Sequence, residues 1–277
     1  MTAAGGGVGH LSTPAHPRAS GVGSRPPQRI ALRDDANGSA HMDEGLKIDW
    51  TQMPTYNTIM AVAAGAGLLS LVLLGRGITK GRVVSYEGYA INFGVLGAIL
   101  TITGAHMTLT WPFATYFPFD NIIFGEPSLG FGVLLLGTAF LLWKRGERLR
   151  TSADAIGELR ALAAPFTILI VGLGLSLIAI AAAGITFQLF AEPPEEPISG
   201  LFSEWPWIEA TFMSGLFALA GLGALLLPAA LSRARIGERL GALQVIAGVA
   251  LGLAGLAFLL FGALNFFTHI GLIVNTM

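Results

Sequence analysis

Six stretches of largely apolar residues, each near the ~20 needed to cross a hydrocarbon core, recur at 56–75, 88–108, 122–143, 165–188, 206–228 and 243–267. Residues 245–261 carry no charge on any helical face, so a helix built from them has no side suited to water. With 53% hydrophobic and only 12% charged residues, the rest of the chain has too little polar surface to wrap such segments as a soluble core. The expected fold is therefore all-α: an integral membrane bundle of six transmembrane helices whose flanks are solvated by the lipid bilayer.

The connections carry the second constraint. Basic residues beyond position 50 fall in three of them, first Arg76, Lys80 and Arg82, then Lys144, Arg145, Arg148, Arg150 and Arg160, then Arg233, Arg235 and Arg239. The alternate connections hold carboxylates instead, with Asp120 in one and Glu192, Glu195, Glu196 and Glu204 in the other. Lys and Arg near span ends stay cytoplasmic, which predicts a multi-pass cell-membrane protein with cytoplasmic basic loops and both termini outside. A net charge of −1 conceals this separation and points to no nucleic-acid partner. The absence of cysteine removes disulfides, thiolate metal sites and cysteine nucleophiles together.

Ahead of the first span, residues 1–41 are rich in Gly, Pro, Ala and Ser, a composition that buries too little to fold. Residues 1–49 are expected to form a disordered extension before a transmembrane domain at 50–277. The four arginines before position 41 sit badly with an exported N-terminus, and no apolar run before Trp50 supplies a signal peptide. A native start at Met42 removes the conflict.

Comparison of the spans suggests a threefold repeat of helical hairpins, an arrangement that often places a site at the repeat interface. Odd spans run from Asn57 to Ala63, from Glu126 to Gly132 and from Glu209 to Gly215; even spans finish at Gly104, Gly184 and Gly262. Gly-Glu-Arg-Leu occurs at 146–149 and again at 237–240. Gly94, Gly97, Gly130, Gly172, Gly221, Gly248 and Gly255 are expected to let helices approach closely.

Ionisable groups at the membrane are costly and usually pair or serve a function. Alternating spans bring Asn57, His106, Thr110, Asn121, Glu126, Gln188, Glu209, Asn265 and His269 to one end, the outer end, and predict a polar pocket there. His106 with Thr110, and Asn265 with His269, stand one helical turn apart and so share a face. Two histidines and two carboxylates, His106, Glu126, Glu209 and His269, would suit a divalent metal if they converged. Each ligand would have to come from a different span, since no His-x-x-x-His or Glu-x-x-His occurs. A haem between His106 and His269 needs both on facing helices. The plainer account seats the histidines at the interface, hydrogen-bonded to backbone or to Glu126 and Glu209, and makes those two carboxylates helix-start residues. Glu87 reads as an interfacial carboxylate paired with Arg82 or Lys80.

The segments Gly104-Ala-His106-Met-Thr-Leu-Thr-Trp-Pro112, Asn121-Ile-Ile-Phe-Gly-Glu126-Pro127 and Met53-Pro-Thr-Tyr-Asn57-Thr58 carry a family resemblance. From about Trp50 onward the chain resembles a multi-pass membrane family known as domain of unknown function 981. The resemblance implies a membrane protein without an assigned substrate, cofactor or catalytic residue.

Two function classes lead. One is binding or transport of a small solute or ion at the outward-facing polar pocket; the other is a subunit of a membrane redox assembly carrying quinone or haem. An enzyme using Glu126, Glu209 and His106 for acid and base chemistry ranks last, because the sequence shows no nucleophile and no metal-ligand spacing.

Overall fold

The computed structural model describes residues 46–277. The start at Met42 and the extension through residue 45 lie outside the described residues. Seven α-helices follow in order: α1 (Asn57–Thr79), α2 (Tyr86–Leu109), α3 (Glu126–Thr151), α4 (Ala155–Ala163), α5 (Thr167–Phe187), α6 (Pro206–Ser232) and α7 (Ala242–Thr276). No strand occurs among the described residues. Six helical segments are long and apolar enough to cross a membrane, with α4 and α5 together forming the fourth. At 1.5 Å per residue even the 23-residue α1 is about 35 Å long, enough for a bilayer core.

Helix starts follow local chemistry. The Ser85 hydroxyl accepts from Gly88 N at 3.1 Å at the head of α2. Asp154 does the same for Gly157 N at 2.9 Å in α4. Proline sits in the first turn of α3 and α6, where its missing N–H costs nothing. The outer faces present Ile91, Ile102, Phe140, Ile168 and Leu253 to the surroundings, Ile168 being 85% exposed. Apolar exposure on that scale suits lipid rather than water.

Three helices depart from the expected boundaries. The third span continues to Thr151 because its basic end stays helical, with Arg150 bridged to Glu147 at 2.6 Å within one turn. The basic connection after it is not a plain loop. It holds α4, whose Arg148–Glu158 pair at 2.7 Å ties it back to α3 and whose Ala155 and Ile156 are buried. The last helix runs past residue 267 to Thr276, because its final turns are covered by other segments. Ile48 N donates to Thr276 O at 3.2 Å, Trp50 Nε1 to Thr276 Oγ1 at 3.1 Å, and Asn275 Nδ2 to Glu195 O at 2.7 Å.

The spans close into a ring in chain order, but the contacts are uneven. α2 packs tightly on α3, α5 on α6, and α7 on α1, while α3 and α5 touch only lightly. Glycine makes each tight pair. A Cβ added at Gly97 would come within 2.9 Å of Gly132 O and Leu136 N, and one added at Gly221 within 2.9 Å of Gly174 O. At Gly65 it would meet the backbone of Gly255 and Leu259, and at Gly104 the backbone of Gly125 and Leu129. A Cβ added at Gly262 would come within 2.8 Å of Val62 N, and one at Gly184 would meet Ser214 and Phe190. Thus Gly104, Gly184 and Gly262 each meet the next odd span around the ring.

On the odd spans the glycines in close contact are Gly65, against Gly255 and Leu259, Gly132, against Leu100 and Thr101, and Gly221, against Gly174. Gly215 has open space around its Cβ direction, as do Gly172 and Gly248, so these three glycines are not close-approach sites. The two Gly-Glu-Arg-Leu copies also differ. The first is helical within α3, and the second lies in the α6–α7 turn, where Gly237 has φ +77°.

Valine at Gly65 or Gly104 is expected to force two backbones apart, costing about 1–3 kcal/mol by overpacking and lowering the melting temperature in detergent. Alanine at Gly172 or Gly215 is expected to be neutral or stabilising, since the new methyl meets nothing. Equal losses at both kinds of position, in a thermal-shift series, would disprove this account of the helix pairs.

Candidate functional site

Because glycine draws the helices together in pairs around the ring, the middle is not filled. A cavity of about 1380 Å³ lies within it, larger than the ~300–1,000 Å³ of ordinary small-molecule pockets. Its walls are apolar side chains, among them Met60, Leu68, Phe131, Leu173, Phe217 and Phe258. Polar groups gather at its two ends. At the acidic end are Asn57, Asp120, Glu192, Glu209, Asn265 and His269; at the other are Arg76, Lys80 and Arg160. Among the described residues lining it, every carboxylate is at the first end and every Lys or Arg at the second.

Of the residues expected to share a pocket, the cavity collects Asn57, Glu209, Asn265 and His269. Asn265 is 8% exposed. The Asn57 Oδ1 is buried and has no hydrogen-bond partner among the described residues. The His269 ring faces the backbone of Asn265, one turn earlier, and the Thr268 hydroxyl lies 3.5 Å from its Nδ1. Glu209 accepts from Glu192 N at 3.0 Å, which ties the first turn of α6 to the 188–205 connection.

The other expected residues do different work. His106 is exposed; its Nδ1 lies 2.7 Å from the Tyr56 hydroxyl, with the Phe113 ring edge-on at 5.5 Å. Burial pushes the Tyr56 phenol up to about 12, so it stays protonated and serves as the donor of that bond. Asn121, 2% exposed, is a structural staple: its Oδ1 accepts from Phe113 N at 3.0 Å, and its Nδ2 donates to Thr110 O at 2.7 Å and to Met107 O. Thr110 is the C-cap of α2 and is exposed. Glu126 is exposed at the first position of α3, and Gln188 is the left-handed C-cap of α5 at φ 52°. His106 and Glu126 therefore stand apart from Glu209 and His269. Among the described residues no group of three or more His, Cys, Asp or Glu side chains is placed to hold a metal ion. Glu87 forms no ion pair with Arg82 or Lys80 among the described residues and does not line the cavity.

Three segments close the acidic end. Thr115 N donates to Gln52 O at 3.1 Å and Asp49 N donates to the Tyr116 hydroxyl oxygen at 3.2 Å, joining the N-terminal segment to the 110–120 connection. Leu46 N reaches Glu195 Oε1 at 2.9 Å, joining it to the 188–205 connection. Glu196, 5% exposed, folds back onto the backbone N–H groups of Ile198, Ser199 and Gly200 and organises that connection from within.

Burial under this cover pushes Asp120 up to about 7. It pushes Glu192 up to about 8, with the negative charges of Glu209, Glu196 and Asp120 adding to the effect. Sequence reading overlooked both residues, along with Arg76, Lys80 and Arg160, because loop charges read as solvated. The apolar positions 155, 156, 159 and 163, spaced as one helical face, were the available signal for α4 and hence for Arg160.

Since both carboxyls hold protons more tightly folded than unfolded, the folded state loses stability as pH rises from about 4 toward 8. The melting temperature is expected to be higher at pH 5.5 than at pH 8.5, with the difference shrinking in Asp120→Asn and Glu192→Gln. An unchanged pH dependence in the double variant would contradict the assignment.

The family described as a protein of unknown function, DUF981, matches residues 53–271, which include all six membrane-spanning segments except the last turn of α7. No curated protein and no solved structure matches the chain. With most of its length covered by that match, the chain belongs to the DUF981 family of membrane proteins.

Proposed function

We propose that this protein holds an amphipathic, lipid-like molecule inside its helix bundle, as a receptor or carrier. One observation supports the reading above others: a cavity of about 1380 Å³ has mostly apolar walls along its length, with its charged and amide side chains gathered at its ends. A hydrated ion or small polar solute would lose its water against Leu, Phe and Met side chains that offer nothing in return. Water filling the cavity would lack the polar partners that ordered interior water needs. A molecule with a long apolar body recovers the dispersion contacts that the void forgoes. The unpartnered Oδ1 of Asn57, with the buried Asn265 and with His269, supplies hydrogen-bonding groups at one end.

The redox alternative narrows under the same reasoning. A quinone is one molecule of the proposed class. A haem bridged by His106 and His269 is disfavoured, because His106 stands outside the cavity wall and is engaged by Tyr56.

The same proposal takes the basic end as cytoplasmic and both termini as outside, at the cell membrane. The concentration of Arg and Lys at one end of the bundle supports it; Lys47, bonded to the Met277 backbone oxygen at 2.9 Å, is the exception at the other. Descent from a tripled helical hairpin is part of this reading too, supported by the three glycine-mediated interfaces between successive hairpins.

Gly137 and Gly248 line the cavity, and a Cβ at either meets nothing within 4 Å. Gly137→Phe and Gly248→Phe are therefore expected to fill space without moving a helix and to abolish retention of co-purifying lipid, read by native mass spectrometry. Undiminished lipid in both well-folded variants would refute the proposal. In intact cells a membrane-impermeant amine reagent is expected to spare Lys80 and Lys144 until the membrane is opened; modification beforehand would reverse the orientation.

A further inference from the structure

The basic end of the cavity is built from three elements that meet there. Arg76 lies in the last turn of α1, Lys80 caps that helix, and Arg160 comes from α4. α4 is held in place from both sides: Ile156 and Ala155 are buried in the same apolar cluster as Ile78 of α1 and Ala234 beyond α6, and the Arg160 Nη2 donates to Ala234 O at 3.2 Å. The Arg160 Nε is buried and has no hydrogen-bond partner. None of the three cations forms an ion pair with a described carboxylate, although Arg148 and Arg150 nearby are both paired. A buried charged donor without an acceptor is costly, and arginine's fork suits oxygen pairs on phosphate or carboxylate.

We infer that the basic mouth formed by Arg76, Lys80 and Arg160 is the headgroup site for an anionic amphiphile, with its phosphate or carboxylate oxygens on these cations and its apolar chain in the cavity. The inference rests on the lipid-binding reading above and adds the charge and polarity of the ligand. Charge along the cavity sets the direction. The far end, lined by Asp120, Glu192 and Glu209, offers an anionic head no Lys or Arg among the described lining residues, so the chain points toward it and the head away. A free anion would satisfy the cations but leave the apolar walls empty, which favours a lipid over inorganic phosphate as the source.

The test uses the full chain in detergent, with dioleoyl phosphatidylglycerol, dioleoyl phosphatidylcholine and inorganic phosphate as separate probes. The anionic lipid is expected to bind about tenfold tighter than its zwitterionic counterpart, a difference typical of one good charge-assisted contact. Arg160→Gln, and Arg76→Gln with Lys80→Gln, should bring the two lipids to parity, weakening phosphatidylglycerol more than phosphatidylcholine, whose own phosphate is offset by its choline cation. If Arg160→Gln does not fold, Arg160→Lys together with a salt titration of the unaltered protein takes its place: the preference should survive the first and shrink in the second.

Equal binding of the two lipids by the unaltered protein, or a preference insensitive to salt and to the glutamine variants, overturns the anionic assignment. The wider reading then stands if Gly248→Phe still excludes both lipids, and falls if it does not. Inorganic phosphate competing at concentrations similar to the lipid's own dissociation constant would make the site a free-anion site and overturn the lipid assignment.

Discussion

Close approach of helix backbones at glycine sets the architecture of this bundle. In a bilayer the lipid tails are as apolar as the side chains, so helices gain little by burying Leu or Phe against one another and associate where small residues let backbones touch. Gly97 and Gly132, Gly174 and Gly221, and Gly65 and Gly255 place such contacts on the faces where α2 meets α3, α5 meets α6 and α7 meets α1. These contacts lie along the perimeter. Toward the centre the same helices present larger side chains such as Phe131, Leu173 and Phe258, which face one another across a cavity. The void is thus a consequence of where the glycines are.

The two ends of the cavity owe their character to different structures. At the acidic end, residues 46–56 tie down the connections at 110–120 and 188–205 through Gln52 O, Asp49 N and Leu46 N, and the Asn121 staple fixes the path of the first connection. Carboxyls covered by these segments are desolvated, which raises Asp120 and Glu192 toward neutrality. At the basic end a short amphipathic helix, α4, leans across the mouth and carries Arg160 with it. One end therefore offers hydrogen-bonding groups and protonatable acids, the other unpaired cations, with an apolar path between them.

The sequence revealed some of this and hid the rest for identifiable reasons. Apolar runs reported the spans because a bilayer-crossing helix needs them along its whole length. Helix ends were less legible: α7 outruns its apolar stretch because the Thr276 region is held by Ile48 and Trp50, which are remote in sequence. Asn265 and His269, one turn apart on one helix, do share the cavity wall, and Asn57 and Glu209 join them. His106 looked like their partner because it sits at the same end, yet it faces Tyr56 and Phe113. Asn121 and Thr110 had the polarity of ligands but serve the backbone. Polarity at a span end records depth in the membrane and says nothing of direction around the helix.

By itself, then, the amino-acid order determined the solvent of the flanks, the number of crossings and the segregation of charge between alternate connections, since each depends only on residues close together along the chain. Tertiary structure decided which helix faces meet, that a cavity lies between them, and that its lining combines Asn265 with Asn57 at one end and Arg76 with Arg160 at the other. Those outcomes depend on the rotation of each helix about its axis. That rotation is fixed by glycine contacts between helices up to some two hundred residues apart in the chain, as with Gly65 and Gly255, and nearly featureless amphipathicity within each span gives no local sign of it.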